Sequence, residues 1–233
     1  FRISHLTYQP SNVTFPGMGR AKYSPALIII VGLLFLASRV NFVLFHTLTE
    51  LFSISVAGAV FLIAWNSHSA ESRPRLTLLG VSYLHVGFLD LLHALSFEGF
   101  HIIPGSGFNL SMDYWLSARF METGTLAVLP FYEPKRNRRE RLFILYSALT
   151  LVFLTLIYYG LFPVSYTAED GLTAFKKISE YIIIGVLAFA LVAIHRRRNR
   201  LKAEWYSYLS FATGLTIVSE FMFTLYTHLH DSS

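Results

Sequence analysis

Ionisable side chains recur inside stretches of this sequence that are otherwise almost wholly apolar. Three pairs at helical spacing and two single glutamates make up the set: His46 with Glu50, Asp90 with His93, Arg119 with Glu122, Glu180 and Glu220. Residues three or four apart share one face of a helix. Charged groups inside a bilayer are costly and usually face a bundle interior or a water-filled cavity. We therefore expect these side chains to form a site for ligand binding or signal sensing.

Several kinds of chemistry fit this set. Two histidines with carboxylates suit Zn²⁺ or Fe²⁺, and the candidate ligands are His46, Glu50, Asp90 and His93. The sequence contains no HExxH or HxxxH box, so the spacing itself indicates no metal. A haem with an axial histidine, a small polar ligand and a purely structural network remain alternatives. No particular cofactor is predicted.

Arg119 and Glu122 are the natural internal ion pair. The arginine could equally reach Asp90 or Glu180 on a neighbouring helix. A structural salt bridge that holds helices together is the simpler interpretation of this pair. Further along, His85 is expected to be a packed histidine that bonds to a neighbouring helix.

The elements that position these residues are long apolar runs. Of the 233 residues, 54% are hydrophobic and only 14% are charged, against about 25% charged in a soluble domain. A spanning helix needs roughly 20 apolar residues, and continuous rather than alternating runs favour helices over barrel strands. The sequence predicts an all-α, polytopic transmembrane bundle of seven helices, at about 24–42, 46–66, 76–96, 112–132, 142–162, 174–194 and 205–227.

Basic residues predict the orientation of the bundle. Fifteen of the 19 lysines and arginines fall in the N-terminal segment and in the loops 67–75, 133–141 and 195–202. Cytoplasmic loops carry the excess of Lys and Arg, so we expect the N-terminus to be cytoplasmic and the protein to lie in the plasma (inner) membrane. The same distribution makes anionic lipid a partner and argues against nucleic acid.

This topology places the ionisable residues of helices 2, 3, 4, 6 and 7 in the outer half of the bilayer. The domains expected are a cytoplasmic segment 1–23, a transmembrane region 24–227 and an outer-side end 228–233. The first residue is not Met, which suggests a fragment. If a cytoplasmic effector follows, an eighth helix must lie beyond Ser233. Cysteine is absent, which excludes disulfides and a Cys nucleophile.

Five blocks of the sequence resemble the third class of membrane-associated sensor (MASE-type) domains. They are residues 45–54, 87–95, 118–122, 171–181 and 215–226, in the same order as in that family. The resemblance implies a bacterial or archaeal sensory input domain, normally followed by a cytoplasmic histidine kinase or diguanylate cyclase. It also implies a homodimer, because such outputs work as dimers. The family-like positions are the eight ionisable residues already named.

Two other functions compete with a sensor. A small-solute or proton-coupled transporter could use the same carboxylates, but it would need access from both leaflets. No inverted repeat is apparent, and no ionisable residue is evident in the inner half of helices 5 and 6. A membrane-embedded metalloenzyme is the third possibility, weakened by the missing histidine box. We expect this chain by itself not to be an enzyme.

Overall fold

A computed structural model describes residues 24–66, 74–98, 102–134, 139–169 and 171–224. The predicted segments 1–23 and 228–233 lie outside these ranges. The described residues form seven α-helices and one short antiparallel hairpin of two strands, so the all-α prediction is confirmed. The elements are α1 (Ser24–Val40), α2 (Phe42–Asn66), α3 (Pro74–Ser96), α4 (Phe108–Val128), α5 (Arg139–Tyr158), β1 (Tyr166–Thr167), β2 (Gly171–Leu172), α6 (Ala174–Arg196) and α7 (Ala203–Thr224).

Four of these helices are long and apolar enough to cross a membrane: α2, α3, α5 and α6. Their outward faces carry large apolar side chains, such as Phe52 on α2 and Leu151 on α5, which are 71% and 63% exposed. Water would disfavour such a surface, whereas lipid tails match it. The multi-pass membrane class is therefore confirmed, and α1, α4 and α7 are confirmed as helices.

The described chain divides into two compact units, Phe1–His46 and Thr47–Ser233. In the first unit, one residue, Asn41, separates α1 from the start of α2. The Asn41 side chain accepts a hydrogen bond from the backbone N–H of Leu44 at 3.0 Å. This contact caps the first turn of α2 in the usual way of an asparagine. The connection between the first two helices is therefore a single capping residue.

In the second unit, α3 and α4 are the centre of the packing. Helix α3 packs against α4 and α5, α4 packs also against α6, and α6 packs against α7. Helix α4 contributes Ala118 and Met121 to an apolar cluster with α3 and α5, and Leu116 and Leu126 to another with α6. Because α4 is shared by both clusters, its position fixes the other helices around it.

Small residues bring α3 close to the second half of α2. A Cβ atom added at Gly87 would lie 2.9 Å from the Ala57 Cβ, and one added at Gly80 would overlap the Ala64 side chain. The two contacts are seven residues apart on both helices, so they lie on one stripe. Close backbone approach through small residues is a common way for membrane helices to associate.

Polar contacts gather the loops at one end of the second unit. Glu133, which follows α4, accepts hydrogen bonds from Arg75 at the start of α3 and from Arg200 after α6. Arg75 also donates to the backbone carbonyl of Arg200 at 3.3 Å. Three loops predicted to share one side of the membrane therefore meet at one end of the bundle. We call Arg75, Glu133 and Arg200 the loop cluster.

Candidate functional site

Arg119 on α4 is the centre of a buried ion-pair network. One of its terminal nitrogens donates to both oxygens of Asp90 on α3, each at 3.0 Å. The other donates to Glu122, one turn along α4, at 2.6 Å. The Tyr83 hydroxyl on α3 completes the network by donating to the second Glu122 oxygen at 2.9 Å. One arginine thus serves two carboxylates, and the charged contacts join α3 to α4.

A second ion pair lies on α6. The Lys176 ammonium donates to Glu180, one turn away, at 2.8 Å, and the two side chains are 3% and 1% exposed. The same ammonium lies 3.5 Å from the ring centroid of Trp115 on α4. A desolvated cation above a tryptophan face is held by the ring quadrupole. Helix α6 begins here because Thr173 caps it, accepting a hydrogen bond from the backbone N–H of Lys176.

Glu220 on α7 is buried beside these two pairs, with 2% of its surface exposed. It interacts electrostatically with Arg119 and Glu122 on α4 and with Lys176 and Glu180 on α6. Within the described parts of the chain, its Oε2 atom has no hydrogen-bond partner, and the same is true of Oε2 of Glu180. The structure therefore holds two buried carboxylate oxygens whose bonding capacity is unused by the described side chains.

His93 on α3 is fixed by the start of α4. Its Nδ1 lies 2.8 Å from the Ser111 carbonyl oxygen, and the Ser111 hydroxyl donates to the His93 carbonyl at 3.2 Å. The first contact is a hydrogen bond when Nδ1 carries the ring hydrogen, and the Ser111 hydroxyl oxygen also lies 2.9 Å from Nδ1. The other ring nitrogen, Nε2, then points toward Glu50 on α2, at 3.9 Å from its Oε1. Glu50 in turn interacts electrostatically with Asp90 and Arg119.

The predicted metal set fits this geometry only in part. A ligating histidine usually donates its other N–H to a carbonyl or carboxylate, and His93 is arranged in that way toward Ser111. Asp90 fits poorly, because both of its oxygens already accept from Arg119. His46 is the last residue of the first unit, one helical turn before Glu50 on α2. Metal and haem binding therefore stay among the alternatives that the sequence offers.

The structure brings together Asp90, Arg119 and Glu122 on one side, and Glu180 and Glu220 beside them. Arg119 and Glu122 lie at a different position along α4 from the one that the sequence predicts. That helix begins at Phe108, four residues earlier than expected, so Arg119 and Glu122 lie near its middle and not in its first half. The polar network therefore reaches from one end of the bundle toward its centre.

Sequence reasoning missed two buried residues of this region. Lys176 was not singled out, yet it is almost fully buried and paired. Its spacing of four from Glu180, which places both side chains on one face of a helix, was the pattern that could have identified it. Asp113 was not singled out either. It accepts from Ser165 at 2.7 Å and from Asn109 at 3.0 Å.

The Asp113 contacts hold the hairpin β1–β2 against the start of α4. The Asn109 side-chain oxygen accepts from the backbone N–H groups of Ser165 and Tyr166, at 2.8 and 3.0 Å. Thr173 donates to the Val164 carbonyl at 2.7 Å, which ties the same hairpin to the cap of α6. The hairpin therefore positions the two helices that carry Arg119 and Lys176.

His85 on α3 lies apart from this network. Its Nε2 is 3.0 Å from the Ser147 hydroxyl on α5, and its Nδ1 is 2.8 Å from the carbonyl of Val81. Both ring nitrogens therefore have partners. This is the packed, helix-bonding histidine that the sequence predicted.

Comparison with known families agrees with the resemblance noted in the sequence. A search of curated proteins and a search of solved structures each gave no match. A family model described as a membrane-associated sensor domain, MASE3, matches residues 37–233. This range includes α2 to α7 and all eight of the predicted site residues. The chain belongs to the MASE3 family of membrane-associated sensor domains.

Proposed function

We propose that this chain is the input domain of a signalling protein and that the buried polar network is where the stimulus is detected. The observation that carries this proposal is the network itself, in which charged side chains of α3, α4, α6 and α7 interact inside an apolar bundle. Such groups are expensive in a membrane and mark functional sites by default. Membership of a sensor-domain family supports a sensory role for this site.

A change at this site would alter how the helices pack. The Arg119–Asp90 pair joins α3 to α4, and the Lys176–Trp115 contact joins α6 to α4. A stimulus that binds one arrangement of these contacts more tightly shifts the population toward it, by no more than its difference in affinity. Helices α3, α4 and α6 run on to the loop cluster, where Glu133 links them again.

The output and the orientation are part of the same proposal. We place the loop cluster on the cytoplasmic side, since the loops that meet there carry most of the basic residues. The polar network then lies toward the outer leaflet of the plasma membrane, with the N-terminus cytoplasmic. The output is a histidine kinase or diguanylate cyclase, fused or associated, that works as a homodimer. This part rests on charge distribution and family resemblance.

Signalling by single variants in the native full-length protein tests the proposal. We expect Glu180→Gln and His93→Ala to abolish the response while the protein still inserts in the membrane. Glu204→Gln is the matched control, since this glutamate is exposed at the start of α7. Insertion is checked by membrane fractionation and output by kinase or cyclase activity. Full responses from both site variants would refute a sensing role for this network.

A further inference from the structure

We propose that Glu180 and Glu220 form a binding site for a small monovalent cation, either a proton or an alkali ion such as Na⁺. The proposal deepens the sensor function proposed above, because it names the chemical class of the ligand. It rests on the balance of charge in the network, on two buried carboxylate oxygens and on the commitment of the nearby cations to other partners.

The charges of the network do not balance. Arg119 and Lys176 supply two positive charges, whereas four carboxyl groups lie around them, those of Asp90, Glu122, Glu180 and Glu220. With every group ionised, these six residues would carry two negative charges in excess, and Glu50, which also acts on Arg119, would add a third. An uncompensated ion in an apolar interior is strongly unfavourable, and the usual remedies are protonation or a counter-ion. A bound proton or cation would therefore stabilise the network.

The terminal nitrogens of both resident cations are already committed to other partners, although Nε of Arg119 has no hydrogen-bond partner among the described residues. The terminal nitrogens of Arg119 donate to Asp90 and Glu122. The Lys176 ammonium donates to Oε1 of Glu180 and lies over the Trp115 ring. Lys176 thus satisfies only one oxygen of Glu180. Neither cation makes an ion pair with Glu220 among the described contacts, although both interact with it at longer range.

Two oxygen atoms of the network are the candidate positions of this excess negative charge. Oε2 of Glu180 and Oε2 of Glu220 are buried and have no hydrogen-bond partner in the described part of the chain. The residues are 1% and 2% exposed, so bulk water does not solvate them. A proton on Glu220 would convert one oxygen to a donor, while an alkali ion would take oxygen ligands from both residues. In either case the ligand carries positive charge. An anion is excluded because it would add to the excess of negative charge.

Occupancy of this site would be coupled to the helix packing. Glu220 belongs to α7, and Glu180 belongs to α6, the helix against which α7 packs. The charged groups that act on Glu220 are Arg119 and Glu122 from α4 and Lys176 and Glu180 from α6. Losing the bound cation would leave the carboxylate to compete for Lys176 and Arg119. The existing pairs of α4 and α6 would then rearrange.

Infrared difference spectroscopy of the full-length protein in lipid nanodiscs tests the site without use of the output. Samples are titrated with pH at zero Na⁺ and then with Na⁺ at fixed pH, while the carbonyl stretch of protonated carboxyl groups is followed. We expect a titrating band equal to one carboxyl group that is lost in Glu220→Gln and kept in Glu204→Gln. Insensitivity of that band to Na⁺ identifies a proton as the ligand. Suppression of the band by Na⁺ identifies an alkali ion that competes with it.

A band that survives in Glu220→Gln, or no carboxyl band at any pH and no spectral response to Na⁺, would overturn the proposal. Glu220→Asp guards against a folding artefact, since it keeps the carboxyl group and should restore the band at a shifted position. The readout is independent of signalling. If the band shows a cation site but the Glu220 variants keep their kinase or cyclase output, only the sensor role is refuted. If the variants lose that output but no cation site is found, only the class of ligand is refuted.

Discussion

Replacing Lys176 by methionine separates the energetic contribution of the buried pair on α6 from its packing. Methionine keeps most of the length of the lysine side chain but leaves the Glu180 carboxylate, 1% exposed, without the ammonium that donates to it. Removing one partner of a buried ion pair typically costs about 3–5 kcal/mol. We expect Lys176→Met to lower the free energy of unfolding by an amount in that range.

The double variant Lys176→Met with Glu180→Leu removes both charges. Exchange of a whole buried ion pair for apolar residues is often close to neutral. We therefore expect the double variant to be more stable than Lys176→Met alone, with a coupling energy of about 3 kcal/mol between the two sites. Some loss is expected to remain, because Lys176 also lies over Trp115 and acts on Glu220.

The measurement is reversible unfolding in mixed micelles, with the free energy taken from the SDS-dependence of helix content. Lys177→Met is the matched control, because this neighbouring lysine is exposed and such surface changes usually fall within about 0.5 kcal/mol. A cost below about 1 kcal/mol for Lys176→Met would show that the pair is solvated. Additive costs in the double variant would show that the two side chains do not interact.

Two further changes test the packing and the anchoring of the site. Gly80→Leu should destabilise the second unit by at least about 1–3 kcal/mol, because its side chain would meet Ala64, whereas Gly58→Leu enters open space and should change little in the same SDS titration. Asp113→Ala should free the hairpin β1–β2 and speed amide hydrogen exchange there at least tenfold, while the exposed Glu169→Gln should not. Unchanged exchange in Asp113→Ala would remove its anchoring role.

The helices could be predicted because apolar runs of sufficient length have one stable form in lipid. Most helix ends agree with the sequence to within a few residues. The largest differences are of four residues, and they occur at the starts of α2 and α4 and at the ends of α4 and α5. The start of α4 is set by polar contacts and not by hydropathy. Asn109 and Asp113 lie inside the helix because the hairpin supplies hydrogen-bond donors to them. No local pattern records a contact that lies more than 50 residues away in the chain.

The site was predictable as a set of residues but not as a set of partners. Helical spacing identified Arg119 with Glu122, a pair within one helix. Both α3 and α6 pack against α4, so the choice of Asp90 over Glu180 as the second partner of Arg119 depends on the detailed packing of these three helices. Lys176 was not predicted to belong to the site because it is next to Lys177 near the end of a helix. Two adjacent lysines at such a position are typical of the boundary of a membrane span.

Helix α6 joins two distant polar regions by a single rod. Its 23 residues extend about 35 Å at 1.5 Å per residue, with Glu180 near one end and Arg200 just past the other. A rod of this length works as a lever. A tilt of about 5° about one end displaces the other by about 3 Å, which is enough to break the 3.4 Å contact between Arg200 and Glu133. In the signalling mechanism proposed above, a small displacement beside Glu180 would therefore open a contact at the far end of α6.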